Sequence, residues 1–278
     1  FLFLNILISQ VDYSLYFDGN DDYALIDANT NVTGNHDFTI AVRFQKNYYD
    51  NVFESIVSLG NNSDNGGDEN TIAISETGPV IRWNNQVASN DCYGVTNLNN
   101  NQWYLAIASY DSQSQTLYLY LDGELENSCF INGPIPDFIS TGIVLGARKI
   151  NGGSGINAYF NGNISYLAVY DYFISASDHI SELASANVIG NEVAVYDFSQ
   201  NSGLNDSSGN LYNGQIYGAV WEDHIYDCAD ELAENYNSDA IVPNNNACEY
   251  LNDYHLNINE INNNQGHVIV GDDGINKV

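Results

Sequence analysis

Oxygen donors gathered in loops are the residues of this chain best suited to chemistry, and that chemistry is cation binding. Asp18, Asp21 and Asp22 share the turn DGNDD. Asp64, Asp68, Glu69 and Asn70 fall within NNSDNGGDEN (61–70), and Asp230, Asn235 and Asp239 within 227–250. Calcium takes roughly six to eight oxygens from carboxylates, amide carbonyls and backbone, so these loops are candidate calcium sites. A second set is aromatic. Tyr118 and Tyr120 alternate with Leu117, Leu119 and Leu121, so the rings share one face of a strand. With Trp83, Tyr93 and Tyr104 they are expected to form an exposed aromatic surface for a glycan, whose sugars have an apolar face and a polar rim. Cross-strand ring pairing that only strengthens a sheet is the competing role.

Reactive constellations are weaker. Glu124 and Glu126 stand at i, i+2, a spacing close to the roughly 5 Å between the carboxylates of a retaining glycosidase. They follow the turn Asp122-Gly123, which places them at a sheet edge and reads as a solvated turn. His36, His179, His224, His255 and His267 are scattered, and none lies in a metalloprotease motif or beside a nucleophile elbow. Ser154 in GGSG reads as a flexible loop, and no glycine-rich phosphate loop occurs. The chain is expected not to be an enzyme. Cys92 could pair with His36 as a reactive thiol, but two disulfides, Cys92–Cys129 and Cys228–Cys248, are the favoured reading in a secreted chain. A zinc site fits poorly, because no two cysteines have the close spacing that a tetrahedral site uses.

The elements that must carry these residues read as strands. QWYLAIASYDSQSQTLYLYLDGE (102–124) is a hairpin closed by the polar turn 111–114, with Asp122-Gly123 as the next turn signal. A second sheet must cover its leucine row, which predicts a sandwich. Further strands are expected near 13–17, 23–26, 38–44, 52–59, 71–75, 80–83, 142–146, 163–171, 193–198 and 212–217. One helix is expected over 175–187, capped by Ser175. The 13% aromatic share, with 21 tyrosines, suits sheets. Six basic against 36 acidic residues give a net charge of -30, which excludes a nucleic-acid surface and docking on anionic lipid. The apolar run FLFLNILI is too short to insert in a membrane and reads as the end of a secretory leader, leaving residues 1–10 as its remnant. The chain contains no Met and is expected to be part of a longer product.

These segments resemble a known family. YSLYFDGNDDYALI (13–26), HDFTIAVRF (36–44), the Trp-led hairpin at 102–125, YFNGNISYLAVYDYFISASDHISEL (159–183) and VYDFSQNSGLNDSSGNLYNGQIYGAVW (195–221) follow, in order, the motifs of laminin G-like, concanavalin A-like domains. The resemblance implies an all-β, antiparallel jelly-roll β-sandwich over residues 11–224 with one short helix. Ile164-Ser165-Tyr166 and Ala168 depart from the family's acidic and basic positions, and a carboxylate often associated with structural calcium is missing at Ser165. Residues 226–250 are similar to a short Cys-bounded, Asn/Asp-rich module of marine bacterial surface proteins, with Asn244-Asn245-Asn246 where that module is acidic. The remaining 251–278 read as a tail or the start of a further module. The resemblance implies a secreted or cell-surface, non-catalytic module that recognises a glycan or cell-surface polymer through calcium-ordered loops. A structural spacer capable of self-association, or an accessory domain of an extracellular hydrolase, is the alternative.

Overall fold

The computed structural model describes residues 10–28, 36–60, 69–85, 91–132, 142–150, 154–175, 180, 183, 189–198, 201–227, 242–243, 269–270 and 276–277. They belong to two units, Asp12–Asp223 and Phe1–Val11 with His224–Val278. The strands are β1 (Gln10–Asp18), β2 (Tyr23–Ile26), β3 (Phe38–Lys46), β4 (Glu54–Gly60), β5 (Glu69–Ile74), β6 (Ile81–Asn84) and β7 (Cys92–Tyr93). Next come β8 (Trp103–Asp111), β9 (Thr116–Leu121), β10 (Glu124–Phe130), β11 (Ile143–Leu145), β12 (Arg148–Ile150) and β13 (Gly155–Asn157). β14 (Asn161–Tyr170), β15 (Ala194–Tyr196), β16 (Gly214–Tyr217) and β17 (Val220–Asp227) complete the two main sheets. In the smaller unit, β18 (Val242–Pro243) pairs in parallel with Tyr226 and Asp227, and β19 (Ile269–Val270) forms a hairpin with β20 (Asn276–Lys277).

The larger unit is an antiparallel sandwich. Its first sheet runs β10-β9-β8-β3-β14-β1-β17, with β15 on β14, and its second runs β16-β2-β11-β4-β5-β6-β7. The hairpin read from sequence is present: β8 and β9 pair from Ala106↔Leu121 to Asp111↔Thr116. Asp122 and Gly123 take φ of 51° and 86°, the left-handed pair that a two-residue hairpin turn requires. Leu117, Leu119 and Leu121 are buried in the same core cluster as Ile72, Ile81 and Trp83 of the second sheet. Burying each leucine stabilises by about 1.5–3 kcal/mol, so the row alone commits this hairpin to the inter-sheet core.

Two devices join the layers. The Lys46 ammonium at the end of β3 meets Glu54 at the start of β4 at 2.8 Å, both fully buried, and also donates to the Asn161 carbonyl. Burial pushes the Glu54 pKa up, and Lys46 opposes that shift. A Cys92–Cys129 disulfide ties β7 of the second sheet to β10 of the first. Closing a loop of that size stabilises by about 4 kcal/mol in the chain-entropy account.

Of the helix expected over 175–187, Ser175, Ile180 and Leu183 are described. Ile180 and Leu183 have helical geometry and are buried. Cys228, Cys248 and the 226–250 module lie outside the described residues, apart from 226–227 and 242–243. Among the described residues, no helix is long and apolar enough to cross a membrane.

Candidate functional site

The outer faces of the two sheets differ. On the first, Ala41, Leu105, Ile107, Tyr120, Tyr166 and Tyr170 join Ile174, Ile180 and Leu183 in a second apolar cluster. Tyr120 is 2% exposed, and Tyr118 lies half-buried 5.5 Å from the Phe173 ring. The open aromatic surface expected here is corrected: Phe173, Ile174, Ile180 and Leu183, which follow β14, pack over it. Trp83 is corrected as well. Its ring is 0% exposed in the main core, because Ile81 and Trp83 alternate inward while Arg82 points out. Tyr104 is corrected too, at 5% exposed in the main core, so of the five aromatics Tyr93 alone is exposed, at 37%.

The second sheet's outer face mixes polar and apolar residues and is largely buried. One row crosses six strands: Gln215, Leu25, Val144, Ser58, Thr71 and Asn84 stand directly opposite one another. Val144, Ser58 and Thr71 are 0% exposed and Asn84 6%, so the row opens to solvent only at its Leu25–Gln215 end. The Thr71 hydroxyl donates to Ser58 within it. At the β2–β16 end, Leu25, Asp27, Lys149, Asn213, Gly214 and Gln215 line a cavity of about 440 Å³. Burial lowers the Lys149 pKa, and the Asp27 charge partly offsets that.

Beside the row, Ala73, Arg82 and Tyr93 are opposite one another on β5, β6 and β7. The Arg82 guanidinium donates to Glu76, Asp91 and Asn84. It lies 5.2 Å from the Phe53 ring and 5.0 Å from that of Tyr93, while Arg148 lies 4.7 Å from Phe53 on β12's side. Burial alone would depress the Arg82 pKa, but the Asp91 hydrogen bond and charge, with Tyr93 and Glu76, raise it. Asp27, Phe53, Arg82, Arg148, Lys149 and Gln215 were not singled out in the sequence. Their signal is rarity: Arg82, Arg148 and Lys149 are half of the chain's six basic residues.

The acidic turn forms as expected. Asp18, Asp21 and Asp22 each offer a carboxylate oxygen, all within 4.8 Å of one another. Side-chain and backbone hydrogen bonds from Asn20 hold the Asp18 carboxyl below the usual range. Burial raises that of Asp22, as do the charges of Asp18 and Asp21, although the Asp18 N–H donates to it at 2.9 Å. Asp22 is closed in by the β16–β17 turn. A Cβ at Gly218, where φ is +80°, would come within 1.9 Å of its carboxylate. Asn161 donates to the Asp18 carbonyl at 2.8 Å, while its own buried Oδ1 has no hydrogen-bond partner. Asp64, Asp68, Asp230, Asn235 and Asp239 lie outside the described residues. Glu126, weighed as a catalytic carboxylate, instead accepts from the Val95 and Thr96 N–H groups at 2.7 Å. Asp122 accepts from the Leu105 N–H at the turn.

The family model of the concanavalin A-like lectin/glucanases superfamily, in its third laminin G form, matches residues 18–178, more than half of the chain. The chain belongs to this superfamily. Its concanavalin A-like sandwich is similar to a candidate carbohydrate binding protein from Bacteroides ovatus, with a TM-score of 0.59 at 16% identity, covering 77% of this chain. The chain spans 60% of that protein's length. The CBM40 domain of the Ruminococcus gnavus IT-sialidase aligns with a TM-score of 0.50 at 14% identity, over 64% of this chain and 97% of that one. A heptameric SAP-like pentraxin from Limulus polyphemus gives 0.49 at 19% identity, over 64% and 84%. No curated protein sequence matches the chain. At these identities the first two likenesses bear on the fold alone.

Proposed function

We propose that this concanavalin A-like domain is a non-catalytic carbohydrate-recognition module of a secreted or surface-attached protein, acting in adhesion. The observation that carries the reading is the cavity of about 440 Å³ at the β2–β16 end of the second sheet. Asp27, Lys149, Asn213 and Gln215 bring donors and acceptors around Leu25, the mixture that orients a polyhydroxylated ring. Calcium at Asp18, Asp21 and Asp22 would relieve their mutual repulsion and order the β1–β2 turn, with the unpartnered Asn161 Oδ1 beside them as a further donor.

A glycan array run with calcium and with EDTA tests this reading. At least one glycan is expected to bind, more weakly in EDTA. Lys149→Ala with Gln215→Ala is expected to cut that binding about tenfold or more, the effect of losing one or two hydrogen bonds. Silence on every glycan, or binding indifferent to both substitutions, would favour the structural spacer.

A further inference from the structure

A smaller cavity, of about 160 Å³, lies where β15 and the start of β17 meet the loop 201–213. It shares no lining residue with the cavity on the second sheet, and it lies outside the family-matched residues 18–178. Three aromatic residues line it, of which Tyr196 and Phe198 are buried and Trp221 is partly exposed. The Phe198 and Trp221 rings meet edge-on at 5.7 Å, with Tyr196 alongside. Asp197, Asn205 and Ser207 add a carboxylate, an amide and a hydroxyl to the lining, with the Ser207 hydroxyl donating to Asp197 at 3.3 Å.

The loop is locked before any ligand arrives. The Asp206 carboxylate accepts four hydrogen bonds: from the N–H groups of Val195, Ser208 and Tyr212 and from the Ser208 hydroxyl. The Tyr196 hydroxyl donates to the Tyr212 carbonyl, and the Ser207 N–H to that of Val195. Phe198 is buried at a φ of 52°, a left-handed conformation that bulky residues rarely adopt and that persists only where the surroundings impose it. Rigid walls spare a ligand the cost of ordering them.

We infer that this cavity binds a single neutral pyranose ring. Its volume equals that of about five waters, room for one six-membered ring and not for an oligosaccharide. The C–H face of the sugar packs on Trp221, which the buried Phe198 backs. Its hydroxyls donate to the Asp197 carboxylate and exchange hydrogen bonds with Asn205 and Ser207. No Lys or Arg lines the cavity, and Asp197 repels anions, so sugars bearing a carboxylate or sulfate are excluded.

The test uses the full chain labelled with ¹⁵N and follows the Trp221 indole N–H resonance, assigned with Trp221→Phe. The probes are the methyl glycosides of glucose, galactose and mannose, with N-acetylneuraminic acid as the anionic control. At least one methyl glycoside is expected to shift the resonance saturably. Asn205→Ala and Asp197→Ala, both at exposed positions, should each weaken binding about tenfold, while Lys149→Ala leaves it unchanged and so separates this site from the sheet face. The inference is overturned if no neutral glycoside moves the signal, if only the acidic sugar does, if neither Asn205→Ala nor Asp197→Ala has an effect, or if Lys149→Ala abolishes binding.

Discussion

Tyr166, Tyr170 and Tyr196 are buried phenols. Burial pushes the Tyr166 pKa up to about 12 and those of Tyr170 and Tyr196 higher still. In the unfolded chain they ionise near the ordinary tyrosine value of about 10. The folded state therefore holds protons that the unfolded state has lost, and stability must fall as pH rises above that value. Urea midpoints are expected to decline steeply above about pH 10. Tyr170→Phe should flatten that decline, and an unchanged slope would refute the assignment. Alternation in the sequence was enough to place Leu117, Leu119 and Leu121 in the core. The same rule assigns Trp83 inward with Ile81, yet its ring chemistry drew it to the surface set. Tyr118 and Tyr120 face outward as read, but the chain that covers them is remote in sequence, and no local pattern announces it.

Among the elements, β3 and β4 are joined by the Lys46–Glu54 pair, buried between the sheets. Removing one partner leaves the other charged and unpaired. Glu54→Leu alone is expected to cost about 3–5 kcal/mol in urea unfolding, whereas Lys46→Met with Glu54→Leu should be near neutral or stabilising. A double variant as damaged as the single one would show that the pair does more than satisfy its own charges. Nothing in the sequence announced this contact, because each residue sits at a strand end where a charge usually reaches water. Turn chemistry made the β9–β10 corner legible through Asp122-Gly123. The β12–β13 hairpin was not legible, since its three-residue strands are too short to show a period. Nor were the bulges between Ser55 and Val57 and between Ile164 and Tyr166, which shift register without altering composition.

For the molecule as a whole, a charge of -30 sets the conditions under which it folds best. Repulsion among these carboxylates weakens as the screening length drops from about 30 Å at 0.01 M salt to about 3 Å at 1 M. The thermal midpoint is expected to rise across that range, and calcium should raise it further at far lower concentration. A midpoint that falls with salt would mean that local pairs such as Arg82–Asp91 outweigh the net field. The jelly-roll class was visible from strand spacing and turn signals, whereas the burial of much of both outer faces emerged only once both layers were assembled.

The flanks of this sandwich are fastened in two ways: β16 runs into β17 through a tight covalent corner on one side, and Cys92–Cys129 clasps β7 to β10 on the other. A host cytoplasm that keeps thiols reduced would make the protein with one side unlatched, leaving β10 and its exposed Leu125 and Phe130 free to zip onto neighbouring copies. Recombinant production in an oxidising compartment is therefore a requirement set by the architecture, and yield in a reducing strain becomes a readout of how much that latch contributes.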